Sequence, residues 1–243
     1  MTDVRDDQLP RGAGDADEVP PVPAASVIVV RGHPFEVLFM RRTSTSSFVP
    51  DSWVFPGGAI DAVDRDLAES FLGGSELDVM RVAGLRELFE ETGIWLGTPL
   101  EDPGTTRKQV LDDPADFRKL FDDCASHLDD LVLTSRWITP VGVPKRFDTY
   151  FFLLEVDGSH DPTPEHREGV ELRWLTPPEA LRLHSERTFP MVFPTIKNLE
   201  AIADAQSTFA LLESRRDIEV RPTEPVLIVD ETGRKRIVIP GEE

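Results

Sequence analysis

The stretch Arg86-Glu87-Leu88-Phe89-Glu90-Glu91-Thr92-Gly93-Ile94 carries three carboxylates at positions i, i+3 and i+4. On a helix turning about 100° per residue, Glu90 and Glu91 fall about −60° and about +40° from Glu87, while Val82, Leu85 and Phe89 fall on the opposite side. One face is carboxylate and the other is apolar. Such neighbours repel by about 0.2–0.5 kcal/mol per pair on an exposed helix, and more when desolvated, so the arrangement suits a cation held between them. No His or Cys lies in the segment, which favours a hard, oxygen-liking ion, Mg2+ or Mn2+, over zinc. Arg86, one turn before Glu90, can fix a carboxylate through a two-bonded pair. Upstream, Trp53-Val54-Phe55-Pro56-Gly57-Gly58 ends in two glycines whose backbone can point a carbonyl or an amide at the same ion and leave room for a phosphate. In a chain with 45 acidic residues, the ordinary alternative is an acidic face that is merely solvated.

The whole string narrows that choice. It resembles the Nudix hydrolases, whose box reads Gly-x5-Glu-x7-Arg-Glu-apolar-x-Glu-Glu-x-Gly-apolar. From Arg86 to Ile94 the match is complete. The first half departs from the box: Gly58 and Arg86 stand 28 positions apart where the box has 14, placing an insertion at about 61–74. The insertion is expected to form a short helix at the rim of the site, shaping access without supplying ligands. Eight positions before Arg86, where the box has glutamate, stands Asp78, with Glu76 nearby. The interrupted box, together with Phe48-Val49-Pro50, Trp137-Ile138-Thr139-Pro140 and Arg146-Phe147-Asp148-Thr149-Tyr150, is similar to the subgroup that contains the peroxisomal coenzyme A diphosphatases.

The resemblance implies a metal-dependent hydrolase of a nucleoside diphosphate linked to another group. Catalytic roles pass to Arg86, Glu87, Glu90 and Glu91, metal ligation to Glu87, Glu90, Glu91 and Gly57, and room for substrate to Gly58. It further implies a metal ligand from the loop before Trp174, for which Glu168 is chosen over Glu165 and Glu171. The implied substrate is coenzyme A or acyl-coenzyme A. ADP-ribose, a dinucleotide or an oxidised nucleotide, and a non-catalytic binding or regulatory module, remain the alternatives.

Other residues follow from charge and aromaticity. Lys+Arg 26 against Asp+Glu 45 gives a net charge of −19, which repels nucleic acid and anionic membrane, so an anionic small ligand needs local cations. The pairs Arg41-Arg42 and Lys145-Arg146 begin or end strands, and Arg42 and Arg146 are the foremost candidates for holding phosphate. Trp53, Phe48 and Phe55 are candidates for stacking on a base. The single Cys124 cannot make an intramolecular disulfide, and neither a leader-type nor a 20-residue apolar run is present. The ending Val238-Ile239-Pro240-Gly241-Glu242-Glu243 lacks a peroxisomal address, so the expected location is the cytoplasm.

The elements that must position these groups read as follows. Residues 1–23, acidic and proline-rich, are expected to be a disordered tail. Strands are expected at Ala24 onward, Phe35–Arg42, Trp53–Phe55, Ile94–Leu96, Leu131–Ile138, Arg146–Val156 and Val170–Leu175. Helices are expected over Glu76–Thr92, Pro114–Leu128, from Pro177, and twice between Phe193 and Arg216, with a hairpin at 226–239. Interleaved strands and helices predict an α/β chain, and the resemblance makes it an α/β/α sandwich with a mixed sheet. The Nudix-like domain is placed at 24–205, and the extension 206–243 offers material for a homodimer interface.

Overall fold

The computed structural model describes residues 19–46, 49–229, 231 and 235–241; most of the expected tail and Phe48 lie outside them. Strand β1 (Val22–Arg31) begins two residues before the expected start and pairs in parallel with β6 (Phe147–Glu155) along Val22↔Phe147 to Val30↔Glu155. Alternation of apolar residues in these strands serves two cores. Val27, Val29, Phe152 and Leu154 face one, and Ile28, Val30, Phe151 and Leu153 face the other, as a central strand requires.

The sheet runs β3 (Trp53–Val54), β2 (Glu36–Arg42), β1, β6, β5 (Val132–Ile138), β8 (Pro222–Thr223), with β4 (Gly57–Ala59) on β1 and β7 (Gly169–Leu175) on β2. One face carries α1 (Ala62–Leu72), α2 (Glu76–Thr92), α3 (Pro103–Asp112) and α4 (Arg118–Cys124); the other carries α5 (Pro177–Ser185), α6 (Phe193–Ile202) and α7 (Thr208–Arg216). A separate hairpin joins β9 (Val226–Val229) to β10 (Lys235–Val238). The α/β/α sandwich with a mixed sheet is as expected. No described helix is long and apolar enough to cross a membrane.

Two local expectations are corrected. Ile94–Leu96 is not a strand: Thr92 Oγ1 accepts the Ile94 N–H at 3.1 Å, and Trp95 turns onto Phe89 at 5.2 Å, so these apolar residues fill the core as loop. The expected helix 114–128 is α-helical only at α4, with 3-10 helices at Pro114–Phe117 and Ala125–Asp130 on either side, yet Phe117, Phe121, Cys124 and Leu128 keep a helical spacing of buried positions. The polar α3 buries only Val110 and gave no apolar period to read. Burial also pushes the Cys124 thiol up to about 12, which disfavours the reactive thiolate.

Candidate active site

Helix α2 is delimited by its own sequence. Ser75 accepts the Asp78 N–H and Asp78 accepts the Ser75 N–H, each at 3.2 Å, and Gly93 closes the helix at φ 74°, a capping box and a left-handed stop. Val82, Leu85, Leu88 and Phe89 bury one face and turn Glu87, Glu90 and Glu91 toward β4. Gly57 and Gly58 lie in β4, paired with Ser26 and Ala25 of β1, so the glycines are strand and not turn. Gly57 has φ 150°, and a Cβ there would stand 2.3 Å from the Ala25 carbonyl oxygen; one on Gly58 would stand 2.6 Å from the Glu87 carboxylate. Only glycine lets the strand approach the acidic helix this closely. The Gly57 N–H donates to Glu91 Oε2 at 2.6 Å.

Arg86 ties the acids together, and its five N–H donors are all used. Nε and Nη2 donate to the two Asp64 oxygens at 2.9 and 2.8 Å, Nη1 to Glu87 and Glu90 at 3.0 Å each, and Nη2 to the Ala59 carbonyl at 3.1 Å. Burial opposes the guanidinium charge, but the Asp64 bond and the three carboxylates outweigh it and hold the group above its ordinary value. The acids are pushed the other way. Burial, with Glu90 adding to it against the pull of Arg86, lifts Glu87 to about 8; burial raises Glu90; burial and Glu87 raise Glu91 despite its bond from Gly57.

Three carboxylates that resist ionisation for want of water are a donor set that a hard divalent cation would stabilise. Among the described residues no three acidic, histidine or cysteine side chains already converge into a metal cage. The fit is therefore one of donor chemistry, with the ligands brought to one place but not closed around an ion.

These groups open on a cleft of about 510 Å³ lined by Glu87, Glu90, Gly57, Gly58, Arg42, Glu168 and Lys145, among others. Arg42 donates to Ser46 Oγ from Nε at 3.0 Å and Nη2 at 2.8 Å and lies 3.9 Å from Glu168. Glu165 accepts the backbone N–H groups of Arg167, Glu168 and Gly169, which shapes the loop that offers Glu168. Glu171 is occupied by Arg41 and Arg173.

The family model for the NUDT19 Nudix domain matches residues 74–202, just over half of the chain and including the whole acidic string. The chain belongs to the Nudix hydrolase family. It is 32% identical to nudix hydrolase 7 of Caenorhabditis elegans over 65% of this chain and 52% of that protein, so it spans about half the length of that relative. Acyl-coenzyme A diphosphatase NUDT19 of Gallus gallus is 27% identical over 90% of this chain and 78% of its own. A crystal structure of a Nudix hydrolase from Alicyclobacillus acidocaldarius superposes with a TM-score of 0.69 at 27% identity, covering 79% of this chain and 96% of that one.

Within this Nudix site the structure brings together Arg86, Glu87, Glu90, Glu91, Gly57, Gly58, Glu168 and Arg42. Two candidates, Arg146 and Trp53, it does not bring to the cleft lining. Arg146 is buried and is not among the residues lining the cleft, donating to the carbonyls of Thr139 at 2.8 Å and Val19 at 2.9 Å and to Glu224; its neighbour Lys145 is the one that lines the cleft. Trp53 is 3% exposed and stacks on Phe189 at 4.3 Å and 14°, a core contact and not a platform for a base. Phe55 lies in the cleft wall between Phe39 and Phe151.

Asp64 was missed. Counting back from Arg86 leads to Asp78, but Asp78 is spent on capping α2. Counting forward from Gly58 by the box's own spacing leads to Asp64, fully buried against Arg86. The extra residues thus lie after Asp64, and the inserted α1 is no mere rim. Asp61 caps it and Val63, Leu67 and Ala68 enter the core. The forward count was available in the sequence; which count was right was not.

Proposed function

We propose that this Nudix hydrolase cleaves the diphosphate of acyl-coenzyme A or coenzyme A into 3′,5′-ADP and a 4′-phosphopantetheine. The observation that carries the reading is a single cleft lined at once by Glu87 and Glu90, the Gly57-Gly58 strand, the cations Arg42 and Lys145, and apolar side chains including Trp137, Val143, Phe193 and Ile237. Relatives named acyl-coenzyme A diphosphatase support the substrate. Mg2+, with Mn2+ as a substitute, would be held by Glu87, Glu90, Glu91 and the Gly57 backbone with help from Glu168, and supplies charge neutralisation at the diphosphate. The chain's own groups do the rest. Arg86 holds Glu87 and Glu90 in place, Gly58 leaves space for a phosphate, and Arg42 and Lys145 pair with phosphate oxygens. The cleft-facing carboxylates orient a water and take its proton as its oxygen bonds to one phosphorus and the bridging oxygen leaves with the other.

The test is a panel of coenzyme A, acyl-coenzyme A, ADP-ribose and a dinucleotide, incubated with Mg2+ and resolved by mass. Release of 3′,5′-ADP at the highest kcat/KM from coenzyme A compounds is the expected result. Faster cleavage of ADP-ribose than of every coenzyme A compound would overturn the substrate.

A further inference from the structure

We propose that the apolar wall of the cleft formed by Trp137, Val143, Phe193 and Ile237 seats the acyl-bearing arm of the substrate, and that the C-terminal hairpin builds part of it. The inference rests on the acyl-coenzyme A reading above and adds where the acyl group is recognised. Val143, Phe193 and Ile237 form a buried cluster of their own, with Trp137, Leu227 and Ile239 packed against it. Four of these, Trp137, Val143, Phe193 and Ile237, line the same cleft as Glu87 and Glu90. They come from β5, the loop before β6, the start of α6 and β10, so the subsite exists only when the chain's last segment is in place.

That segment is fixed firmly enough to form a wall. Strand β8 adds to the main sheet beside β5 through Arg136↔Pro222 and Trp137↔Thr223. The buried Arg146 holds Glu224 from one side and the Thr139 and Val19 carbonyls from the other, so the residue first read as a phosphate ligand anchors the extension. Beyond that anchor, Ile237 pairs in register with Leu227, and Phe193 meets Trp137 edge-on at 5.8 Å. Strands β8, β9 and β10 lie beyond residue 202, where the matched Nudix segment ends.

The chemistry of the wall selects the occupant. A diphosphate held over Glu87 and Glu90 must send one of its two substituents along the cleft. The four side chains there carry no carboxylate, amide or hydroxyl, and their one polar atom is the buried Trp137 indole nitrogen, a lone donor that cannot by itself read the donor–acceptor edge of a base. Each methylene that such a wall takes from water strengthens binding roughly fourfold. Lys145, two residues from Val143 and also in the lining, adds a cation suited to a phosphate and no acidic group that would repel one.

The experiment compares kcat/KM for coenzyme A, butyryl-coenzyme A, octanoyl-coenzyme A and ADP-ribose in the full chain and in Ile237→Asp, with melting curves for both. Octanoyl-coenzyme A is expected to exceed coenzyme A at least tenfold in the unmodified protein, and Ile237→Asp to bring that ratio to within twofold of one. Should Ile237→Asp melt far below the unmodified protein, Val143→Thr, of nearly the same shape, is expected to lower the ratio at least threefold. A ratio near one in the unmodified protein, or one that survives both substitutions, overturns the subsite while coenzyme A hydrolysis stands. Equal losses for octanoyl-coenzyme A and ADP-ribose would assign this wall to the nucleotide and overturn it too. Cleavage of ADP-ribose with none of any coenzyme A compound overturns this inference together with the reading beneath it.

Discussion

Asp64 and Arg86, 22 positions apart, form a two-bonded ion pair of 2.9 and 2.8 Å in which neither partner is more than 3% exposed at its side chain. Removing one partner of such a pair strands the other charge in a dry site, at a cost of about 3–5 kcal/mol. Asp64→Ala is therefore expected to lower the melting temperature by roughly 10 °C and to lower turnover, because Arg86 also steers Glu87 and Glu90. Asp78→Ala, which removes half of the α2 capping box, is expected to cost about 1 kcal/mol and leave turnover near normal. The reverse ranking would return the box position to Asp78.

Glu91→Gln and Glu90→Gln differ in what they leave behind. Each is expected to weaken divalent-ion binding and lower turnover by at least about 10². Without metal, Glu91→Gln keeps an oxygen for the Gly57 N–H and removes a buried charge, so its melting temperature should rise at pH 8. Glu90→Gln takes a charged partner from Arg86, so its melting temperature should fall. Near-normal turnover in both would detach these carboxylates from the chemistry.

Glu87 gives the metal-free protein a pH dependence. Its folded value of about 8 lies above its ordinary 4.5, mainly through burial, so the folded chain keeps a proton that the unfolded chain releases across that window. The group's contribution is intact below about 4.5 and is lost as pH rises toward about 8, at no more than about 1.4 kcal/mol per pH unit. Melts in chelator across that range should decline more steeply for the unmodified protein than for Glu87→Gln, and added Mg2+ should reduce the difference. Parallel curves would show that Glu87 ionises freely.

Lys145 and Arg146 are neighbours with opposite expected phenotypes. Lys145→Ala should lower kcat/KM for coenzyme A about tenfold, the scale of one charge-assisted phosphate contact, with little change in melting. If the contact is to the 3′-phosphate, dephospho-coenzyme A should be affected less. Arg146→Ala should instead destabilise the fold, since it releases Glu224 and two backbone carbonyls. A stable, catalytically impaired Arg146→Ala protein would restore Arg146 to the phosphate site.

What the sequence determined by itself is what short-range physics encodes. The bounds of α2 follow from Ser75, Asp78 and Gly93, and its acidic face from a rotation of about 100° per residue; none of this needs a distant partner. Alternation within β1 and β6 likewise announces strands buried on both sides. Tertiary structure alone decided the fate of individual cations and aromatics. Arg146 meets Val19 across 127 positions and Glu224 across 78, Arg86 meets Asp64 of α1 across 22, and Trp53 finds Phe189. A guanidinium or an indole carries the same local signal whether it faces a ligand or a buried carbonyl. Its role is set by which polar groups the folded chain leaves without water, a property of the packing and not of any window of sequence.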